Sequence, residues 1–449
     1  MNDEKSKATK GTNSRRTFVK NSALLSGAVI LPSFEMNAMF NSTNDKKLKI
    51  ALVGCGGRGT GAAVQALNAD ENVELVAMAD AFEDRLQGSL ANISKEMGES
   101  KKVNVKKENQ FVGFDAAQKA MDLGDVVILA TPPGFRPQHF EYAINNGKHV
   151  FMEKPVATDM PGVRKVLAAA KKAKENNLNV VVGLQRHYQD NYLAALDQLK
   201  QDKIGKIVSG QVYWNSGGVW VRERQPNQSE LEYQMRNWYY FNWLCGDHIL
   251  EQHIHNIDVA NWFVGEYPIS AQGMGGRQVR TGKDHGEIYD HHFVEYTYPS
   301  GAVIASQCRH QPDTMRRVSE FFQGTKGTVS TEGDRAVMKD WNGNTVFEHR
   351  GKDDPNPYEV EHVKLFESIR NGGVIADGEN GAKSTMSAII GRMATYSGQI
   401  ITWEEAMKSE LKLVPDNLTW DSPAPVQPDA DGWYKIPMPG KKAAAIARK

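Results

Sequence analysis

The densest set of side chains able to do chemistry lies in residues 246–262, GDHILEQHIHNIDVANW. Read as one helix, the segment carries His248, Glu251 and His255 at spacings of three and four, so they share a face, and Asp258 continues it one turn on. A histidine titrates near neutrality and can take a hydroxyl proton and return it, with a carboxylate one turn away to orient the ring. The same residues, with His253 and the run Asp290-His291-His292, are also of metal-ligating types. Their pattern is not His-Glu-x-x-His, and a dinucleotide site elsewhere in the chain supplies chemistry without an ion. The cluster is therefore read as acid–base machinery with no metal. A second charged group, Glu153-Lys154-Pro155, follows the apolar run His149–Met152. A charged pair at a buried strand end is costly unless it meets a partner or a ligand.

The elements that must position these groups begin with a nucleotide-type turn. The apolar run Leu48–Val53 leads directly into Gly54-Cys55-Gly56-Gly57-Arg58-Gly59, and a helical stretch, Thr60–Asn68, follows. In G-x-G-x-x-G between strand and helix, the first glycine makes the tight turn and the second lets the backbone approach a pyrophosphate. The third lets helix and strand pack closely, with the helix N-terminus facing the anion. The next strand, Val73–Ala79, ends at Asp80, which lies 21 residues after Gly59. A carboxylate there binds the ribose hydroxyls of NAD and repels the extra phosphate of NADP, although Arg85 nearby is of the type that accepts that phosphate. NAD is thus the expected cofactor and NADP the lesser one.

Asp125–Ala130, His149–Met152 and Asn179–Leu184 read as further buried strands, with a helix at Gln138–Asn146. Strands alternating with helices imply a doubly wound parallel sheet, whose ligands sit beyond the carboxyl ends of the strands. Thr131, Pro132, Pro133, His139, Glu153 and Lys154 are expected to face that crevice with the glycine loop. After a helix at Tyr192–Asp202 the pattern changes. Ile207–Trp214, His292–Tyr298, Val303–Cys308, Ser319–Gln323 and Thr328–Ser330 are short runs that alternate apolar and polar, as in an antiparallel sheet with one covered face. Helical stretches at Val360–Arg370 and Ser384–Thr395 return to brace the structure. The expected fold class is α/β, a Rossmann sheet followed by an α/β domain with a large, mostly antiparallel sheet. The expected boundaries are 46–183, 184–410 and a strap or tail at 411–449.

The glycine motif, Asp80 and Glu153-Lys154-Pro155 together resemble the Gfo/Idh/MocA family of oxidoreductases, which includes glucose-fructose oxidoreductase, inositol dehydrogenase and several sugar dehydrogenases. The resemblance covers about residues 48–410. It implies that Lys154 contacts the substrate hydroxyl near the nicotinamide, that a cis bond precedes Pro155, and that His255 is the catalytic histidine. The family usually has D-x-G-x-H-x-x-D where this chain has Glu251 to Asp258; Glu251 replaces the aspartate and His253 the glycine. On that reading His255 is the base, Glu251 orients it, and Lys154 stabilises the developing alkoxide. Arg186, Tyr188, Trp214, Trp220, Asn242, Trp243 and His253 are candidates for a sugar pocket, because aromatic faces suit the C–H surface of a pyranose and polar groups suit its hydroxyls. Trp238-Tyr239-Tyr240-Phe241 is read as core or oligomer contact. The family's open sheet pairs subunits, so a dimer or tetramer is expected.

The N-terminus adds an address. Arg15-Arg16 precede the apolar run Ser22–Phe34, too short to span a bilayer, and the set resembles a twin-arginine export signal cut near Ala38. The expected location is the periplasm. The 54 basic and 54 acidic side chains balance, which argues against a broad nucleic-acid surface. Three widely spaced cysteines form no disulfide framework. Outside the cytoplasm free dinucleotide is scarce, so the cofactor is expected to be tightly bound and regenerated in place. Three functions stay open: a dehydrogenase of a sugar, glycoside or cyclitol (C3 of a glycoside being the expected carbon), an NAD-dependent glycosidase, and a silent sugar-binding protein. Tyr188 resembles a tyrosine of the glycosidases, whereas the intact Lys154 favours the dehydrogenase.

Overall fold

Strand runs and glycine turns resolve into two sheets in the computed structural model, which describes residues 46–440. The expected leader, residues 1–38, lies outside the described residues. The first sheet is parallel and six-stranded: β1 (Leu48–Val53), β2 (Val73–Asp80), β3 (Gln110–Val112), β4 (Val126–Leu129), β5 (His149–Met152) and β6 (Val180–Val182), in spatial order β3-β2-β1-β4-β5-β6. Alternate residues of β1 serve opposite faces. Ile50 and Leu52 join one buried cluster, and Ala51 and Val53 the other. Helices cover both faces, which is why the run is continuously apolar rather than alternating. The strand order reverses between β1 and β4, and that gap is the natural ligand crevice.

The second sheet has nine strands: β7 (Ile207–Ser216), β8 (Ser270–Gly276), β9 (His291–Thr297), β10 (Val303–His310), β11 (Arg317–Gly324), β12 (Gly327–Glu332), β13 (Arg335–Asp340), β14 (Thr345–Arg350) and β15 (Ile401–Thr402). Their order is β14-β13-β12-β11-β7-β10-β9-β8-β15. All neighbours are antiparallel except β7 and β10. Along β10 burial alternates strictly, with Ile304, Ser306, Cys308 and His310 on the covered face. The helix Ile254–Val264 packs on this covered face.

The two braces expected near the end of the chain form. The helix Pro357–Arg370 lies against the helix Gly57–Ala69, placing His362 beside Phe151 of β5. The helix Gly378–Ser397 runs between β8 and the helix Met160–Glu175. Residues 411–440 are a strap: Leu413 N–H donates to Asp159, Tyr434 hydroxyl to Glu230, and Tyr289 hydroxyl to the Pro437 carbonyl.

The glycine turn is close-packed where the motif requires it. A Cβ on Gly59 would lie 1.9 Å from the Gly54 carbonyl oxygen, and one on Gly54, at φ +98°, would lie 2.5 Å from the Ala130 carbonyl carbon. Gly56, by contrast, meets nothing within 4 Å. The methyl of Gly59→Ala has no space without moving backbone, a disturbance of about 1–3 kcal/mol. We expect its melting temperature to fall and its affinity for added dinucleotide to drop, read by titration. Unchanged melting and unchanged affinity would contradict the close packing.

Candidate active site

Beyond the carboxyl ends of β1, β2 and β4 lies a cavity of 530 Å³. Gly54, Gly56, Gly57, Arg58, Gly59, Asp80, Arg85, Thr131, Pro132 and His139, all singled out from the sequence, line it. The first-turn N–H groups of the helix Gly57–Ala69 have no intrahelical acceptor and suit an anion. Asp80 is fixed by two backbone donors, the N–H of Cys55 at 2.7 Å and that of Phe82 at 2.9 Å. The open approach at Gly56, the held carboxylate and the helix end fit a dinucleotide. Cys55, Pro133, Glu153 and Lys154 are not on this wall. The Cys55 thiol is buried against the Ala79 carbonyl at 3.4 Å, Pro133 starts a buried turn, and Glu153 pairs with Arg58.

Sequence reasoning missed what closes the cavity. Trp220, Arg222, Met235, Arg236 and Trp238 form its far wall, facing Phe82 and Phe114. Arg236 stacks over Phe82 at 4.0 Å and pairs with Asp84. Trp420 of the strap packs on both Phe114 and Phe82, with ring centroids 4.8 and 5.3 Å away. Isolated tryptophans in a polar, proline-rich stretch were the available signal. Trp220, expected in a sugar pocket, stands on the cofactor side instead.

The Glu153-Lys154-Pro155 turn follows β5, and the Lys154–Pro155 peptide is cis, as the resemblance implied. Arg136 holds it. This buried guanidinium donates to the carbonyls of Thr131, Glu153 and Pro155, tying the turn after β5 to the turn after β4. Nothing in its spacing marked Arg136. Arg58 continues the tie, reaching Glu153, Gln65 and the buried Glu361. So held, Lys154 Nζ donates to the Glu251 carbonyl and stands 3.5 Å from its carboxylate.

The segment 246–262 is not one helix. It breaks at Gln252 and His253 between the helices His248–Glu251 and Ile254–Val264. His248, Glu251 and His255 therefore do not share a face. Glu251 serves Lys154, and no hydrogen bond joins it to His255. His255 stacks on Trp214 of β7, with ring centroids 5.9 Å apart and planes at 25°. Its Nδ1 is buried with no hydrogen-bond partner among the described residues. Burial, then the positive charges of Lys154, Arg186 and Arg58, hold its pKa well below the usual value, so the ring is neutral near pH 7.

Most sugar-pocket candidates are committed elsewhere. Arg186 pairs with the buried Glu320, which also accepts from Tyr192, Asn256 and Thr331. Tyr188 donates to Asp377 at 2.6 Å. Asn242 bonds to Tyr396, and Trp243 is fully buried with its indole N–H on Gln234 at 2.8 Å. Both line a second cavity of 360 Å³ beneath the strap. His253 is sealed against β10, its Nε2 2.7 Å from Ser306. Asp258 pairs with His187 at 2.7 Å. Tyr239, Tyr240 and Phe241 are core, as expected.

With this geometry, two family models match the chain. Residues 48–184 match the Gfo/Idh/MocA oxidoreductase family, NAD-binding Rossmann fold, and residues 192–330 match the Gfo/Idh/MocA C-terminal domain. An inositol 2-dehydrogenase of Rhizobium meliloti (strain 1021) is 24% identical over 292 residues, 65% of this chain and 77% of that one. An aldose-aldose oxidoreductase from Caulobacter crescentus superposes with TM-score 0.63 at 17% identity, over 80% of this chain and all of that one. A levoglucosan dehydrogenase in complex with NADH and levoglucosan superposes with TM-score 0.62 at 15% identity, over 79% and 99%.

Burial of imidazoles gives the protein a pH dependence of definite sign. His139 is held down to about 4, and His253 and His362 to about 3, by desolvation. In the unfolded chain each returns to about 6.5. Below that value the unfolded state binds more protons, so the stability these neutral rings contribute is whole above pH ~6.5 and drains as pH falls toward the folded values. The expected slope is up to about 1.4 kcal/mol per pH unit for each ring. Denaturant midpoints between pH 7 and 4 measure it; a flat profile would count against burial as the cause.

Proposed function

The chain belongs to the Gfo/Idh/MocA oxidoreductase family, and from that premise we propose that it oxidises a secondary hydroxyl of a sugar, glycoside or cyclitol. The reading rests on one observation above all: Lys154, on the turn after β5, is held by Glu251, which stands four residues before His255 of the helix Ile254–Val264. When bound, NAD supplies the hydride acceptor. His255, kept neutral by its surroundings, takes the hydroxyl proton. The Lys154 ammonium, fixed by Glu251, stabilises the negative charge that develops on the oxygen. Trp214 offers an apolar face beside the base for the C–H surface of the ring. Asp80 supports NAD over NADP, since its carboxylate repels a phosphate on the ribose.

Tight retention of the cofactor is part of the proposal. Trp220, Arg236 and Trp238, with Phe82 and Phe114 backed by Trp420, support it, because all five line the cavity and offer it aromatic and cationic surface. Retention suits the export proposed from Arg15-Arg16, and it calls for a second substrate to reoxidise the cofactor in place. Exposed Met274 and Phe293 on the open face of the nine-stranded sheet support self-pairing. Among the described residues no helix is long and apolar enough to cross a membrane.

The deciding experiment incubates the purified protein and its retained cofactor with free sugars and p-nitrophenyl glycosides, adding no nucleotide. We expect a keto product, at C3 for a glycoside, that stops at one equivalent and resumes when a carbonyl acceptor is added. Multiple-turnover nitrophenol release without net NADH would replace this reading with the glycosidase, and binding without product would replace it with a silent binder. His255→Ala is expected to lower the single-turnover rate by about 10²–10⁴-fold while retaining nucleotide; full activity would refute the base. Trp420→Ala is expected to speed nucleotide release by up to about tenfold, the worth of one aromatic contact, with Trp420→Phe restoring retention. Stopped-flow displacement measures the rate, and an unchanged value would remove the strap from the clasp.

A further inference from the structure

The turn between Cys245 and His248 joins two one-turn helices, Asn242–Cys245 and His248–Glu251, and both of its residues have positive φ. Gly246, at φ +77° and ψ 14°, is an ordinary left-handed cap. Asp247, at φ +76° and ψ 161°, lies in a region that glycine alone enters freely. The other non-glycine residues at positive φ among the described residues are Asn177, Asp202, Asn227 and Asp313, and all of these are exposed. Asp247 is fully buried. A glycine at 247 would make the same turn without strain, so the conformation does not account for the aspartate and its side chain must.

That side chain ties the turn to distant elements. Oδ1 accepts from the backbone N–H of His248 at 2.5 Å and lies 2.9 Å from His248 Nδ1. Oδ2 accepts from the N–H of Tyr289, ahead of β9, at 2.9 Å and from the hydroxyl of Tyr396, on the helix Gly378–Ser397. It also stands 3.4 Å from His292 Nε2 of β9. The backbone of the same residue starts the next helix, since its carbonyl accepts the N–H groups of Leu250 and Glu251, each at 3.0 Å. A helix of one turn does not hold itself. This one is held at its start by Asp247, and its last residue, Glu251, takes Lys154 on its carbonyl and faces it with its carboxylate.

We propose that Asp247 is a positioning residue, which sets the place of the Glu251 turn and through it that of the Lys154 ammonium. The inference rests on the reading of Lys154 as the group that stabilises the developing alkoxide. Asp247 acts through Glu251, four residues on and about 6 Å along a helix. Backbone strain persists only where the surroundings over-determine it, and here the donors of His248, Tyr289 and Tyr396 do so. Such rigidity matters for a group near reacting atoms, where a displacement of about 1 Å costs about 10²-fold in rate.

Two readings test this, one of them independent of activity. Amine-selective labelling of the purified full-length protein, followed peptide by peptide by mass spectrometry, gives the reactivity of Lys154. Lys102, whose ammonium is held by the carbonyls of Leu67 and Asp70, is the control. In Asp247→Gly, whose backbone suits the turn, we expect labelling of Lys154 to rise several-fold and that of Lys102 to stay unchanged. The single-turnover rate of sugar oxidation is expected to fall by about 10–10²-fold, with the half-saturating substrate concentration within about twofold. Tyr396→Phe removes one donor from the same carboxylate; it is expected to change both readings less and in the same directions, and it decides if Asp247→Gly does not fold. Unchanged Lys154 labelling in the folded variants would overturn the proposal, as would an equal rise at Lys102, which marks general loosening. Lost substrate affinity at an unchanged rate would overturn it too. Faster Lys154 labelling in variants of a protein whose unaltered form oxidises no sugar would uphold the placement and refute the oxidation reading alone.

Discussion

The contact between Lys154 and Glu251 joins the two halves of the site, and much of the surrounding structure serves to hold it. The residues are 97 apart in the chain and almost buried, with side-chain exposures of 11% and 12%. Neither charge is tolerable there alone, since breaking a buried pair leaves an uncompensated ion. On one side Arg136 and Arg58 fix the turn that carries Lys154. On the other, the anchored helix His248–Glu251 fixes the carboxylate. Burial pushes the Glu251 pKa up and Lys154 pulls it down, with burial the larger effect. Hydrophobic packing builds the sheets, but electrostatics sets where Lys154 and Glu251 stand.

How much of this was legible in the chain follows from how local each signal is. The turn Gly54–Gly59 and Asp80 read correctly because strand, turn and helix are neighbours, and the steric demand on Gly59 comes from Gly54 itself. Lys154 and His255 were singled out by resemblance alone, because no local spacing in the chain relates residues so far apart. The break at His253 was illegible for a physical reason: its ring bonds Ser306, on a strand whose register no helical spacing can reveal. Arg186, Tyr188 and Asn242 have suitable chemistry for a sugar, yet their partners, Glu320, Asp377 and Tyr396, lie 134, 189 and 154 residues onward. A polar residue shows its type in the sequence and its commitment only in the fold.

The balanced composition also acquires a meaning. Arg58 with Glu153 and Glu361, Arg186 with Glu320, and Lys154 with Glu251 are internal ion pairs that cancel within the molecule. Such pairs add little net stability over apolar packing, but removing one partner is severe. They make this interior specific more than they make it strong. Substitutions around the crevice should therefore be judged by the partner they leave behind as well as by the contact they remove.

The strap gives the molecule a temporal order. The nucleotide turn at Gly54–Gly59 is made early, whereas Trp420 and Tyr434 are made after every element they hold. During synthesis the first sheet can form while its aromatic clasp is still missing. The growing chain thus passes through a stage in which the crevice is shaped but unlatched. Chains stalled before the strap would fold their first sheet with Phe82 and Phe114 still uncovered at the rim of the crevice.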